Sequence, residues 1–262
     1  MAQFLPALDE TNLRGRTMAK DHLHLPCNLR ALVAVTIMAA GCIAANAQLP
    51  YQDPDLGTEQ RIIDLLTHMT PEEKFRQLFM VVGEVGTDSA RYRDGIFGLQ
   101  LDRITDEGSI TQQLIGGAQG SGAAQLLQRI NETQGYFRER TRLGIPFIPY
   151  EEALHGLVLP GSTAFPQSIG MAASWDTTLM SQVAEAIALE TKARGIRMVL
   201  SPVVNLATDP RWGRVEETYG EDPLLASCFG VAYVRAMETR GIITTPKHFV
   251  ANHGEGGRDS YP

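Results

Sequence analysis

Apolar residues recur three and four apart between Glu59 and Met69, at positions 62, 63, 65, 66 and 69. That period predicts a helix with one apolar face. Thr70-Pro71-Glu72-Glu73 follows as a capping box with proline at the first helical position, and it predicts a second helix running through Phe75, Leu78 and Phe79. Residues 83–120 are rich in glycine and aspartate and show no clear period. From residue 122 onward one unit recurs. A helix ends at Arg142-Leu143-Gly144 and an apolar strand over 145–150 follows. A helix capped by Asp176, with apolar positions 179, 183, 186 and 187, ends at Arg194-Gly195 and leads into a strand over 198–204. A third helix opens at Asp222-Pro223, runs through Leu225, Phe229, Val234 and Met237, ends at Arg240-Gly241 and leads into a strand over 242–245. Each stop is a cation in the last turn and a glycine just past it.

Short apolar strands alternating with helices at this spacing predict a parallel sheet covered by helices, an α/β fold. Such a sheet is either doubly wound or closed as a barrel. Polar residues gather just past successive strands: Glu151, Glu152 and His155, then Asn205 and Asp209, then Lys247 and His248. Functional groups at the C-terminal ends of several strands favour a (β/α)8, TIM-barrel-like domain, although a doubly wound sheet also places ligands at strand ends.

The N-terminus changes the picture of where the protein works. Arg30 precedes an apolar run over 31–45, and Ala45-Asn46-Ala47 has the small-x-small pattern of a signal peptidase site. Residues 1–47 are read as a signal peptide with a long leader, within which Met18 stands as a second start, and the protein is expected to be exported, periplasmic or secreted. The run is shorter than the ~20 residues of a membrane-spanning helix, and a buried helix is the alternative reading. Ala39-Ala40-Gly41-Cys42 resembles a lipoprotein box without its large aliphatic residue, which would make Cys42 a lipid anchor. Cleavage after Ala47 removes Cys27 and Cys42 and leaves Cys228 alone, so no internal disulfide is expected.

The 262 residues are 44% hydrophobic and 20% charged, ordinary for a globular protein, with a net charge of −7. That acidity argues against a nucleic-acid partner. No metal or organic cofactor is implied. The six histidines form no His-Glu-x-x-His pair. The glycine-rich stretch over 116–122 lacks the Gly-Lys-Ser/Thr ending of a phosphate loop, and as a dinucleotide fingerprint it has Gln125 where a third glycine belongs. Gly161-Ser162-Thr163 lacks the Gly-x-Ser-x-Gly frame of a serine hydrolase. Asn131-Glu132-Thr133 matches a glycosylation sequon on a predicted helix and is read as chance.

The densest chemistry lies in Asp209-Pro210-Arg211-Trp212-Gly213-Arg214-Val215-Glu216-Glu217-Thr218-Tyr219-Gly220-Glu221-Asp222-Pro223. A solvated loop seldom combines a tryptophan with two arginines, whose guanidinium groups can grip vicinal hydroxyls or a carboxylate. This segment resembles the signature of glycoside hydrolase family 3. So do LLTHMTPEEKFRQL (65–78), IPYEEALHG (148–156), STAFPQSIGMAASW (162–175) and Lys247-His248-Phe249-Val250-Ala251-Asn252, in the same order and at similar spacing. The resemblance covers 51–262.

The resemblance implies a first domain shaped as a (β/α)8 barrel, here over 48–262 and incomplete at its C-terminus, and a retaining β-glycosidase acting on terminal β-D-glucosyl or β-D-xylosyl residues of oligosaccharides. Retention needs two carboxyl groups about 5 Å apart. In the family these are an aspartate in a Ser-Asp-Trp-like motif downstream of the Lys-His-Phe block and an acid/base from a second domain, so neither catalytic residue is expected within this chain, and the chain alone is expected to be inactive. The resemblance carries substrate binding onto Glu152, Arg214, Lys247 and His248. Arg211, Asp209 and His155 are read either as structural supports or as sugar contacts. Many family β-glucosidases have aspartate where Glu152 stands. The longer Glu resembles the xylosidase form and would crowd a hexose hydroxymethyl group. A decayed barrel serving as a non-catalytic carbohydrate-binding protein is the alternative.

Overall fold

A computed structural model describes residues 49–86, 89–101, 122–249 and 252. The segment over 1–47 expected to be a signal peptide, with Cys42, and nearly all of the 116–122 loop lie outside the described residues. The chain divides into two units, up to Asp64 and from Leu65 onward. In the first, Pro50–Gln52 make a short 3-10 turn. The Tyr51 amide donates to the Asp64 carboxylate at 3.0 Å and Arg61 Nε to the Tyr51 carbonyl at 2.9 Å. Helix α1 (Thr58–His68) lies where the period puts it. Its Ile62, Ile63 and Leu66 are exposed.

In the second unit the capping box forms as read. The Thr70 hydroxyl accepts from the Glu73 amide at 3.2 Å and the Glu73 carboxylate from the Thr70 amide at 2.8 Å, opening α2 (Pro71–Arg76). This helix stops three residues short of Phe79. The chain leaves it at Gln77 because it must extend to enter β1 (Met80–Val82), and Phe75, Leu78 and Phe79 stay exposed. Strands β2 (Gly98–Gln100), β3 (Ile148–Glu151), β4 (Met198–Val199) and β5 (Ile243–Thr244) follow. The sheet order is β1-β2-β3-β4-β5 and every pairing is parallel. A doubly wound sheet reverses its strand order at a switch point. This one advances by one strand each time, which is the wall of a barrel. The domain is thus α/β and TIM-barrel-like, with five strands of the wall among the described residues.

The connecting helices are α3 (Ala123–Arg140), α4 (Ser168–Ala172), α5 (Thr177–Ala193) and α6 (Pro223–Thr239). Asp176 accepts from the amides of Thr178 and Leu179, and Asp222 from that of Leu225, so both read caps form. Gly144, Gly195 and Gly241 have φ of +62°, +83° and +80°, the left-handed turn that ends a helix. Gly195 has a second constraint: an added Cβ would come within 2.9 Å of Leu127 on α3. The buried stripe of α5 is Met180, Ala184, Ile187, Ala188 and Thr191, one position round from the stripe expected from sequence, and Leu179 is exposed. On α6 it is Ala226, Phe229, Gly230, Tyr233 and Met237. These two stripes pack together and over Val199 and Ala153, while Leu126, Ile130 and Phe137 of α3 pack with Leu99 and Phe147.

The strand expected over 198–204 is regular for two residues only, but its pairing continues. Thr245 and Lys247 amides donate to the Ser201 and Pro202 carbonyls, and the Val204 amide to the Lys247 carbonyl, at 2.9–3.0 Å. Val203 and Lys247 form an isolated parallel bridge. The peptide bonds Ser201–Pro202 and Lys247–His248 are cis. This irregular extension brings Asn205 and His248 side by side.

Candidate sugar site at the strand ends

Glu151 ends β3 and is buried. Its carboxylate accepts from Gln100 Nε2, at the end of β2, at 2.6 Å and from the Glu152 amide at 3.2 Å. The next residue, Glu152, faces Lys247, three residues past β5, whose Nζ donates to both carboxylate oxygens at 3.1 and 2.9 Å. Both side chains are mostly buried, 17% and 14% exposed. The backbone beside Glu152 is held from behind by α6. Tyr233 donates its hydroxyl proton to the Ala153 carbonyl at 2.6 Å, so the Ser201 hydroxyl, 2.7 Å away, donates to the tyrosine oxygen. Burial pushes the Tyr233 phenol above its ordinary range, which keeps it a donor.

Arg214 sits in the loop after β4, between the 3-10 turns Pro210–Trp212 and Val215–Glu217. It is 7% exposed. Nε and Nη2 form a fork on the two oxygens of Glu217, and Nη1 donates to His248 Nε2 at 3.0 Å. Its guanidinium carbon lies 5.9 Å from the centre of the Trp212 ring, and that ring meets His248 edge-on at 6.3 Å. Asn205 Oδ1 accepts from the His248 amide at 3.0 Å and from its Nδ1 at 2.9 Å.

The four residues singled out from sequence therefore converge on one place, in two linked pairs. The three residues of uncertain role separate from them. Asp209 caps its own turn through the Arg211 amide at 2.9 Å and pairs with the exposed Arg211 side chain, whose hydrogen bonds hold the Asp209 carboxyl down to about 2. His155 Nδ1 donates to the Phe165 carbonyl at 3.0 Å while the Phe165 amide returns a bond to the His155 carbonyl, a brace for the 155–165 loop. Sequence reasoning gave no role to Glu217 or Gln100, and it noted Trp212 and Glu151 without assigning them as partners of the site. Glu217 left a signal too: it lies three residues past Arg214 within the same signature.

Beside the buried Glu151, held by Gln100 and the Glu152 amide, two carboxylates face two cations, Glu152 with Lys247 and Glu217 with Arg214, so each of these ion pairs is balanced. That balance suits a neutral, hydroxyl-rich ligand better than a phosphate or carboxylate. Lys247 has one N–H beyond the two aimed at Glu152, Arg214 has two beyond those in these bonds, and Glu152 keeps spare lone pairs, so donors and acceptors lie side by side. Among the described residues no three His, Cys, Asp or Glu side chains cluster as metal ligands, and no helix is long and apolar enough to cross a membrane.

The chain is similar to known proteins over most of its length. A β-xylosidase of Formosa agariphila is 42% identical over 123 residues, covering 42% of this chain and 17% of that protein. A periplasmic β-glucosidase of Salmonella typhimurium is 29% identical over 243 residues, covering 87% and 28%. The structure of a β-glucosidase from Erythrobacter marinus superposes with a TM-score of 0.64 at 29% identity, covering 78% of this chain and 27% of that one. The chain thus spans about a quarter or less of each of these relatives. The model of the glycosyl hydrolase family 3 N-terminal domain matches residues 70–261, and the chain belongs to that family.

Proposed function

We propose that this chain carries the sugar-holding part of an exported, retaining β-glycosidase that removes terminal β-D-glucosyl or β-D-xylosyl residues from the non-reducing ends of oligosaccharides. The observation that carries this reading is the convergence, past three successive strands, of Glu152 paired with Lys247 and of Arg214, paired with Glu217, on His248. A carboxylate accepts from sugar hydroxyls while Lys and Arg donate to them, and Glu152, Lys247, Arg214 and Glu217 each keep an opposite charge as partner. The names of the relatives, β-xylosidase and β-glucosidase, support the same chemistry.

Retaining hydrolysis needs a nucleophile and an acid/base about 5 Å apart. Glu152 and Glu217 are each tied to a cation and serve binding instead. We assign both catalytic carboxyl groups to positions outside residues 1–262, so this chain binds the sugar without cleaving it. Between the two substrates, the extra methylene of Glu152 favours the pentose; of the relatives named above one is a β-xylosidase and two are β-glucosidases. Export follows from the reading of residues 1–47 as a signal peptide, with the periplasmic relative in support.

Calorimetric titration of the chain with methyl β-D-xylopyranoside and methyl β-D-glucopyranoside tests the binding. Xyloside binding that is lost in Lys247→Ala is expected. No binding of either sugar would sink the proposal, and turnover of a nitrophenyl glycoside by this chain would overturn the assignment of catalysis. Binding without turnover in the full-length protein would favour the non-catalytic reading.

A further inference from the structure

We infer that Asn205 holds the ring proton of His248 on Nδ1 and so keeps Nε2 as a hydrogen-bond acceptor in the sugar site. What the acceptor serves rests on the function proposed above, whereas the position of the proton does not.

Two constraints act from opposite sides of the ring. On one side a single atom, Asn205 Oδ1, lies 3.0 Å from the His248 backbone nitrogen and 2.9 Å from Nδ1. A backbone N–H only donates, so the asparagine must present its oxygen there, since its NH2 would set donor against donor. That oxygen in turn requires a hydrogen on Nδ1. On the other side stands Arg214 Nη1, 3.0 Å from Nε2. A guanidinium has no acceptor, so Nε2 must offer its lone pair. The two conditions are met together by the neutral ring with hydrogen on Nδ1. Among the described residues, the charged groups next to the ring in these bonds are Arg214, with Glu217 bound to its far side, and Lys247 as the preceding residue. With Trp212 edge-on to the imidazole, the ring is held in position.

This matters because Arg214 and Lys247 bring only donors. A sugar hydroxyl beside Arg214 can accept an N–H from the guanidinium and give its own hydrogen to Nε2, replacing the direct Arg214–His248 bond. The opposite tautomer would face the hydroxyl with donors from both sides. Asn205 thus acts as a positioning residue through His248, selecting ligands whose oxygen carries a hydrogen to give.

The test uses the full chain labelled with 15N-histidine. Long-range proton–nitrogen correlation spectra distinguish a protonated ring nitrogen from a bare one, and His248 is assigned by the signal lost in His248→Gln. A protonated Nδ1 and a bare Nε2 are expected. A protonated Nε2, or two nitrogens averaged between both states, overturns the inference. Asn205→Leu removes the acceptor at nearly constant volume and is expected to average the two nitrogens and to raise the Kd for methyl β-D-xylopyranoside about tenfold, the equivalent of one hydrogen bond. Asn205→Asp keeps an oxygen on Nδ1 and is expected to retain both the spectrum and most of the affinity. Affinity lost in Asn205→Leu with His248 still protonated on Nδ1 would make Asn205 a backbone support only, which also overturns the inference. An unmutated chain that binds neither methyl glycoside refutes the proposed function, while its ring-nitrogen spectrum still decides the tautomer.

Discussion

Replacing Lys247 with methionine removes the ammonium and keeps most of the stem. Glu152, 17% exposed, then loses hydrogen bonds of 3.1 and 2.9 Å and regains little water. Removing one partner from an exposed pair costs about 0.2–1 kcal/mol, and from a buried pair about 3–5 kcal/mol. At intermediate burial we expect a loss of about 2 kcal/mol. Glu152→Gln in the same chain neutralises the stranded carboxylate and should restore about half of that loss; with the cost of Glu152→Gln alone added, a double-mutant cycle reads a coupling of at least about 1 kcal/mol. For a domain of this size the single variant should melt roughly 4–8 °C lower. Sugar affinity should fall in both variants, because the double mutant regains stability without regaining the charged donor. A Lys247→Met protein melting within a degree of the unmutated one, or a double mutant whose loss equals the sum of the single losses, would refute the pairing as an energetic unit.

Other changes probe the supports of the site. Tyr233→Phe leaves the Ala153 carbonyl and Ser201 hydroxyl without their partner in a buried setting, and chemical denaturation should show a loss of about 1–3 kcal/mol. Gly195→Ala forces a side chain into a left-handed turn against Leu127, and should cost at least the ~1 kcal/mol of the backbone conformation alone, read as a lower midpoint in urea. The Glu73 carboxyl is held below 4.5 chiefly by its hydrogen bonds from Arg142. A depressed folded value means that stability is present above the unfolded value and is lost as pH falls through the folded one. Glu73→Gln should therefore flatten the acid limb of a stability–pH curve below about pH 4.5, measured by urea unfolding at stepped pH. An unchanged acid limb would refute this role.

Helices α1, α3, α5 and α6, the start of α2, the caps and the three glycine stops were legible because they rest on local chemistry, such as a carboxylate on free amides or a residue that tolerates positive φ, whereas the five-residue α4 was not read. Strands β1 and β2 were not. β1 begins where the helical period was read on to Phe79, and the three residues of β2 lie in the Gly- and Asp-rich stretch over 83–120, with no helix stop before them to mark a strand. The stripe of α5 was misplaced by one position because small residues, Ala184 and Ala188, face the interior while the larger Leu179 does not. Close approach to α6 decides that, and it is a tertiary fact. In the site, the residues with distinctive neighbours in sequence were found. Pairings between strand ends, such as Gln100 with Glu151, depend on which strands lie side by side, and no local pattern encodes it.

Glu152 and Lys247 meet across 95 residues of chain, and Arg214 reaches His248 across 34. The ligand-binding groups thus exist as a set only when three successive strand–helix units are docked in order. On the proposed function, glycoside binding becomes a reporter of assembly: a sugar held by all three units favours their docked state by mass action. Unfolding any one of them dissolves the site, so bound sugar should slow hydrogen exchange in all three units alike.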